Sequence, residues 1–159
     1  MLDRHGFGRA RRLAAGLAVT VGALAAGCAD DRDDVDALRE AADEVLAAVG
    51  VTVTRPATEQ SSKDIRYITA DGSHPGDLAS VVDHVVATLG DHRWDVTTSE
   101  PMEAADVDAG AAHRVIAKRD GLVVQVLVAG QLGTATAPAG TQLVQLAVAH
   151  PDDRLAWTR

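Results

Sequence analysis

Arg119-Asp120-Gly121 stands between two strand-like runs, His113 to Lys118 and Leu122 to Ala129 (LVVQVLVA). Asp-Gly readily adopts the positive-φ pair of a two-residue hairpin turn, so these runs are expected to pair as antiparallel neighbours. The second run is apolar almost throughout, broken by Gln125. Side chains of a strand alternate between its two faces, so this run puts apolar groups on both. Leu143 to Val148 (LVQLAV), inside a final strand from Thr141 to Ala149, repeats the pattern around Gln145. Two such strands call for a sheet with a core on one side and leave apolar surface on the other.

The remaining chain supplies the partners. Val35, Leu38, Ala42, Val45 and Val49 recur at helical spacing and predict a helix over 34–49, with Asp33 or Asp34 as its cap and Gly50 closing it. Val51 to Arg55 alternates with threonine and reads as a strand stopped near Pro56; Ile65 to Thr69 reads as a second, followed by a turn at Asp71-Gly72. Pro75 then opens a second helix, with Asp77 in its first turn. Leu78, Val81, Val82, Val85 and Leu89 form its apolar stripe, and Gly90 closes it. Arg93 to Ser99 alternates, with Trp94, Val96 and Thr98 expected on one face; 100–110 and 130–140 read as loops. The order is α-β-β-α-β-β-β-β. It predicts a single α+β domain over 34–159, with a mainly antiparallel sheet of about five to six strands. Helix two should cover the sheet, with helix one beside it or at its edge.

Leu122, Val124, Val126 and Val128 form the fully apolar side of their strand and belong under the helices. Val123, Gln125 and Leu127 then face outward, with Leu143, Gln145 and Ala147 as counterparts on the last strand. Either helix one or the long loops cover this second face, or it is a surface for an envelope protein or an apolar ligand.

The net charge of −8 repels phosphate backbones and argues against nucleic acid as a partner. Aromatic residues, at 3%, are too scarce for a surface that stacks sugars or bases. His74, His84, His92 and His150 each stand near aspartates, but none is spaced as a His-x-His or His-x₃-His pair, and no metal or other cofactor is expected. Ser80, Asp83 and His84 crowd one stretch of helix two, whereas a catalytic triad normally draws on separate elements around an oxyanion site. No catalytic residue is assigned. An enzyme reading would be a cell-envelope hydrolase with a site around His74, His84 or His92.

The start of the chain carries an address. Met1 to Arg12 holds Arg4, Arg9, Arg11 and Arg12, and Leu13 to Ala26 is uncharged. As a helix that stretch spans about 21 Å, short of the roughly 30 Å of a hydrocarbon core. A positive start, a short apolar run and small residues at its end are the pattern of an export signal. It ends in Leu24-Ala25-Ala26-Gly27-Cys28, which contains the chain's single cysteine. This segment resembles the lipobox of bacterial lipoprotein signal peptides, with Ala25 where that family more often has leucine. The resemblance implies diacylglycerol on the sulfur of Cys28, cleavage before it, and further acylation such as palmitate. Residues 1–27 are then a signal peptide, exported by the general or the twin-arginine route (Arg11-Arg12), and 28–33 an acidic tether. The expected product is a lipid-anchored protein on the extracytoplasmic face of the cell membrane, touching the membrane through Cys28 and acting as a non-enzymatic binding module.

Overall fold

The computed structural model describes residues 31–62, 65–102 and 111–151; the leader and Cys28 lie outside them. Two helices, α1 (Asp31–Val49) and α2 (Leu78–Asp91), accompany β1 (Thr52–Ser62), β2 (Ile65–Pro75), β3 (Asp95–Met102), β4 (Ala112–Arg119), β5 (Leu122–Ala129) and β8 (Thr141–Ala149). A small hairpin, β6 (Gln131–Leu132) and β7 (Ala135–Thr136), interrupts the expected loop after β5. The six long strands form one sheet in the order β1-β2-β8-β5-β4-β3, antiparallel at every step. The α+β class and the order of the elements are those the sequence predicts.

β5 and β8 pair at the centre of the sheet, which is why their sequences are apolar on both sides. Val124↔Val148, Val126↔Leu146 and Val128↔Val144 lie opposite one another, all at most 2% exposed, in one core with the buried faces of both helices. α1 contributes Leu38, Ala42, Val45 and Val49; α2 contributes Val81, Val82, Val85 and Leu89. Full burial of a side chain of this size stabilises the fold by about 1.5–3 kcal/mol. α1 lies over β1, β2 and β8, while α2 lies over β3, β4 and β5. Both helices therefore pack on one face, and helix one does not reach the other.

Several boundaries depart from the sequence reading. α1 begins at Asp31, within the expected tether, because negative charge is favourable at a helix N-terminus and prolongs it backwards. β1 does not stop at Pro56. It is an edge strand whose register shifts between Val53 and Arg55 and again between Arg55 and Thr58, and an edge bulge tolerates the missing proline N–H. Asp71-Gly72 is no turn but lies within β2, and a Cβ on Gly72 would come 2.3 Å from Val51 Cγ1 and 2.6 Å from the Thr52 carbonyl oxygen. Pro75 ends β2, and Asp77 caps α2 by accepting from the Ser80 backbone N–H at 2.9 Å. Gly90 lies inside α2, and Arg93 takes the left-handed conformation just past its end (φ 63°). In β3 a register shift between Val96 and Thr98 sends the two to opposite faces, Val96 opposite Ala117 and Thr98 opposite Ile116. The expected turn at Asp120-Gly121 forms, with φ of 50° and 76°.

One polar cluster fastens α1 to the sheet. Arg119 Nη1 and Nη2 donate to the two carboxylate oxygens of Glu44 at 2.7 and 2.6 Å, and Nη1 also donates to the His92 carbonyl at 3.0 Å. The guanidinium stands 4.4 Å from the centre of the Trp94 ring, which is buried.

Candidate functional site

The helix-free face is built by the alternate residues of the same strands. Val123, Gln125 and Leu127 lie on it from β5, and Leu143, Gln145 and Ala147 from β8, with Gln125↔Ala147 and Leu127↔Gln145 in register. The sheet thus brings the six expected face residues together. They differ in exposure. Val123, Gln125 and Leu143 are half-buried and Gln145 is exposed, whereas Leu127 is only 7% exposed. Leu127, Ala112 and Ala129 form a second small core against Met102 and Leu132. The hairpin after β5 folds back here, so a loop rather than helix one covers this end of the face.

Beside that hairpin the face opens into a cleft of about 580 Å³. Its floor is Asp71, Gly72, Leu143 and Gln145; its walls are Thr54 and Arg55 of β1 and Leu132 to Ala135 of the hairpin. Arg55 stands between the two register shifts of β1. Bulges of this kind re-aim side chains. Its Nη1 lies 2.9 Å from Asp71 Oδ2, and Gln145 Nε2 donates to Asp71 Oδ1 at 3.1 Å. Neither Asp71 nor Arg55 was expected at a site: the bulges that join them leave no mark in the alternation, and Asp-Gly reads as a turn. Further along the face, Arg114 pairs with Glu100.

The histidines are distributed among structural roles. His74 and His84 come together, ring centres 5.1 Å apart, with His74 Nδ1 2.7 Å from the Pro75 carbonyl oxygen and His84 Nε2 3.1 Å from that of Val49. His92 is elsewhere, its Nδ1 3.4 Å from Glu44, and His150 faces Asp34 at 3.2 Å. Ser80 Oγ donates to the capping carboxylate of Asp77 at 3.0 Å, which commits it to the start of α2. No group of three or more His, Cys, Asp or Glu is placed to hold a metal among the described residues.

One contact escaped the sequence reading. His113 Nε2 lies 2.9 Å from Ser99 Oγ, across the β3–β4 pair on the helix side. Burial pushes the His113 pKa down from 6.5, against the opposing pull of Glu100 and Asp83. A neutral imidazole on a hydroxyl can act as a base. Strand N–H groups, however, lie in the plane of the sheet, while the side chains stand perpendicular to it. The β3 backbone therefore does not point donors at an oxyanion above Ser99.

Comparison with protein-family models, with curated proteins and with solved structures finds no match to the chain.

Proposed function

We propose that this chain is a cell-envelope lipoprotein, held by lipid on Cys28 at the extracytoplasmic face of the cell membrane, and that it binds a partner through its helix-free sheet face. The observation that carries the binding half is the cleft on that face, where side chains of the edge strand, two inner strands and the hairpin converge. Ligand sites are concave, about this size, and set a few placed polar groups among apolar ones. The anchoring half rests on the leader and on the single cysteine at its end. No helix among the described residues is long and apolar enough to cross a membrane. The start of α1 lies near the β8 end marked by His150, while Leu143 and the cleft lie toward the opposite end of that strand. A tether leaving α1 would therefore leave the cleft directed away from the bilayer.

A photo-cross-linking side chain at Leu143, compared in intact cells with one at Glu40 on the exposed side of α1, tests the binding face. Products from position 143 and none from 40 are expected; equal labelling would refute the assignment. The second reading, an envelope hydrolase, draws on the Ser99–His113 contact. Hydrolysis of wall fragments by the purified protein, abolished by Ser99→Ala, would favour it over a binding role.

A further inference from the structure

We propose that the cleft takes short peptides by their free C-terminal end, Arg55 holding the terminal carboxylate and Gln145 the last peptide N–H. This rests on the reading of the helix-free face as a binding surface and adds the chemistry of its ligand.

The donors and acceptors on the cleft floor lead to it. The Asp71 carboxylate accepts at both oxygens, from Arg55 at Oδ2 and from Gln145 at Oδ1. A carboxylate can only accept, so it fixes the Gln145 amide with its NH₂ toward Asp71 and its carbonyl oxygen Oε1 turned away. Arg55 spends Nη1 on Asp71, while its side chain remains 69% exposed, so the rest of the guanidinium edge is open to a second anion. Both groups touch the same carboxylate and are therefore held side by side. The cleft thus presents a planar cationic donor next to a neutral acceptor.

A bare anion suits this pair poorly. It satisfies Arg55 but brings no donor to Gln145 Oε1. The last residue of a peptide carries a carboxylate and an amide N–H on the same Cα, which matches the two groups together. Around them Leu132, Ala135 and Leu143 offer small apolar walls, which favours a small apolar terminal side chain. The volume of about 580 Å³ accommodates a few residues of peptide. The bulged edge strand is explained by the same reading: its irregular pairing carries Arg55 over the face.

Two sources share this chemistry, processed proteins ending in L-residues and cell-wall peptides ending in D-residues. The test is calorimetric titration of the full lipidated chain in detergent micelles with acetyl-L-Ala-L-Ala, acetyl-D-Ala-D-Ala, the C-terminal amides of both, and inorganic phosphate. At least one acid should bind at millimolar concentration or better, and the stereochemistry that binds more tightly identifies the source. Its amide should bind at least about tenfold more weakly. Arg55→Gln and Gln145→Leu should each weaken the acid by about tenfold, while Glu40→Gln changes nothing. Thermal melts check that each variant is folded. Equal binding of acid and amide, phosphate competing as well as the peptide, or no binding of either acid to the folded protein would each overturn the proposal. If Leu143 still cross-links in cells after such a result, the binding face stands and only its ligand class falls.

Discussion

Glu44 and His113 make stability depend on pH in the same direction for different reasons. The Arg119 guanidinium, donating to both oxygens of Glu44, holds that carboxyl below its ordinary 4.5. A depressed carboxylate stabilises the fold above the unfolded value, and that stabilisation is lost as pH falls through the folded one. His113 is depressed by burial, so below 6.5 the unfolded chain takes up its proton more readily than the folded chain does. Stability should therefore fall in two stages on acidification, first below 6.5 and again below 4.5. In urea titrations across pH, His113→Asn should flatten the first stage and Glu44→Gln the second. The Glu44 side chain is 36% exposed, so its pair with Arg119 is screened, and Glu44→Gln should cost only about 1 kcal/mol at neutral pH. An unchanged pH profile in Glu44→Gln would show that the pair does not contribute. Gly72 makes a sharper demand. The atoms beside it include β1 backbone, which cannot rotate aside, so Gly72→Ala should destabilise by about 1–3 kcal/mol through overpacking. A midpoint equal to that of the unaltered protein would mean that β1 does not approach β2 as closely as described.

At the scale of the element, the helix-free face has two parts that respond differently to charge. Leu127 lies in the second core with Ala112 and Ala129, whereas Leu143 borders the cleft and is half-buried. Leu127→Lys should cost about 2–4 kcal/mol, since it replaces a packed side chain by a charge. Leu143→Lys should cost less than half of that and leave a cooperative unfolding transition. Equal losses, measured by urea unfolding of both variants, would mean that the face is covered throughout. The sequence revealed which side of β5 and β8 faces the helices because the all-valine-and-leucine side differs from the side holding Gln125 and Gln145. It could not reveal the bulges in β1 and β3. A bulge changes which residues face each way without changing residue types, so Thr98 crossed to the other face and Pro56 failed to end its strand. The sequence reading starts α2 too early, at Pro75, for a related reason. Pro75 and Asp77 both suit a helix start, and the carboxylate that accepts from Ser80 decides between them.

For the whole molecule, the proposed function pairs a lipid anchor at Cys28 with a sheet that has helices on one side and a cleft on the other. The architecture was legible because helix stripes, the Asp-Gly hairpin and two doubly apolar strands agree on one fold. The candidate cleft was not, since Arg55, Asp71 and Gln145 come from separate strands and meet only once β1 bulges. The proposed orientation of the cleft away from a bilayer holds only if Cys28 carries lipid. The direct measurement is the intact mass of the native protein extracted from the membrane fraction, together with fragmentation of its first peptide. The expected species is a chain beginning at Cys28, without residues 1–27, and bearing a diacylglyceryl thioether on the sulfur. An exported chain with an unmodified Cys28 thiol would contradict it.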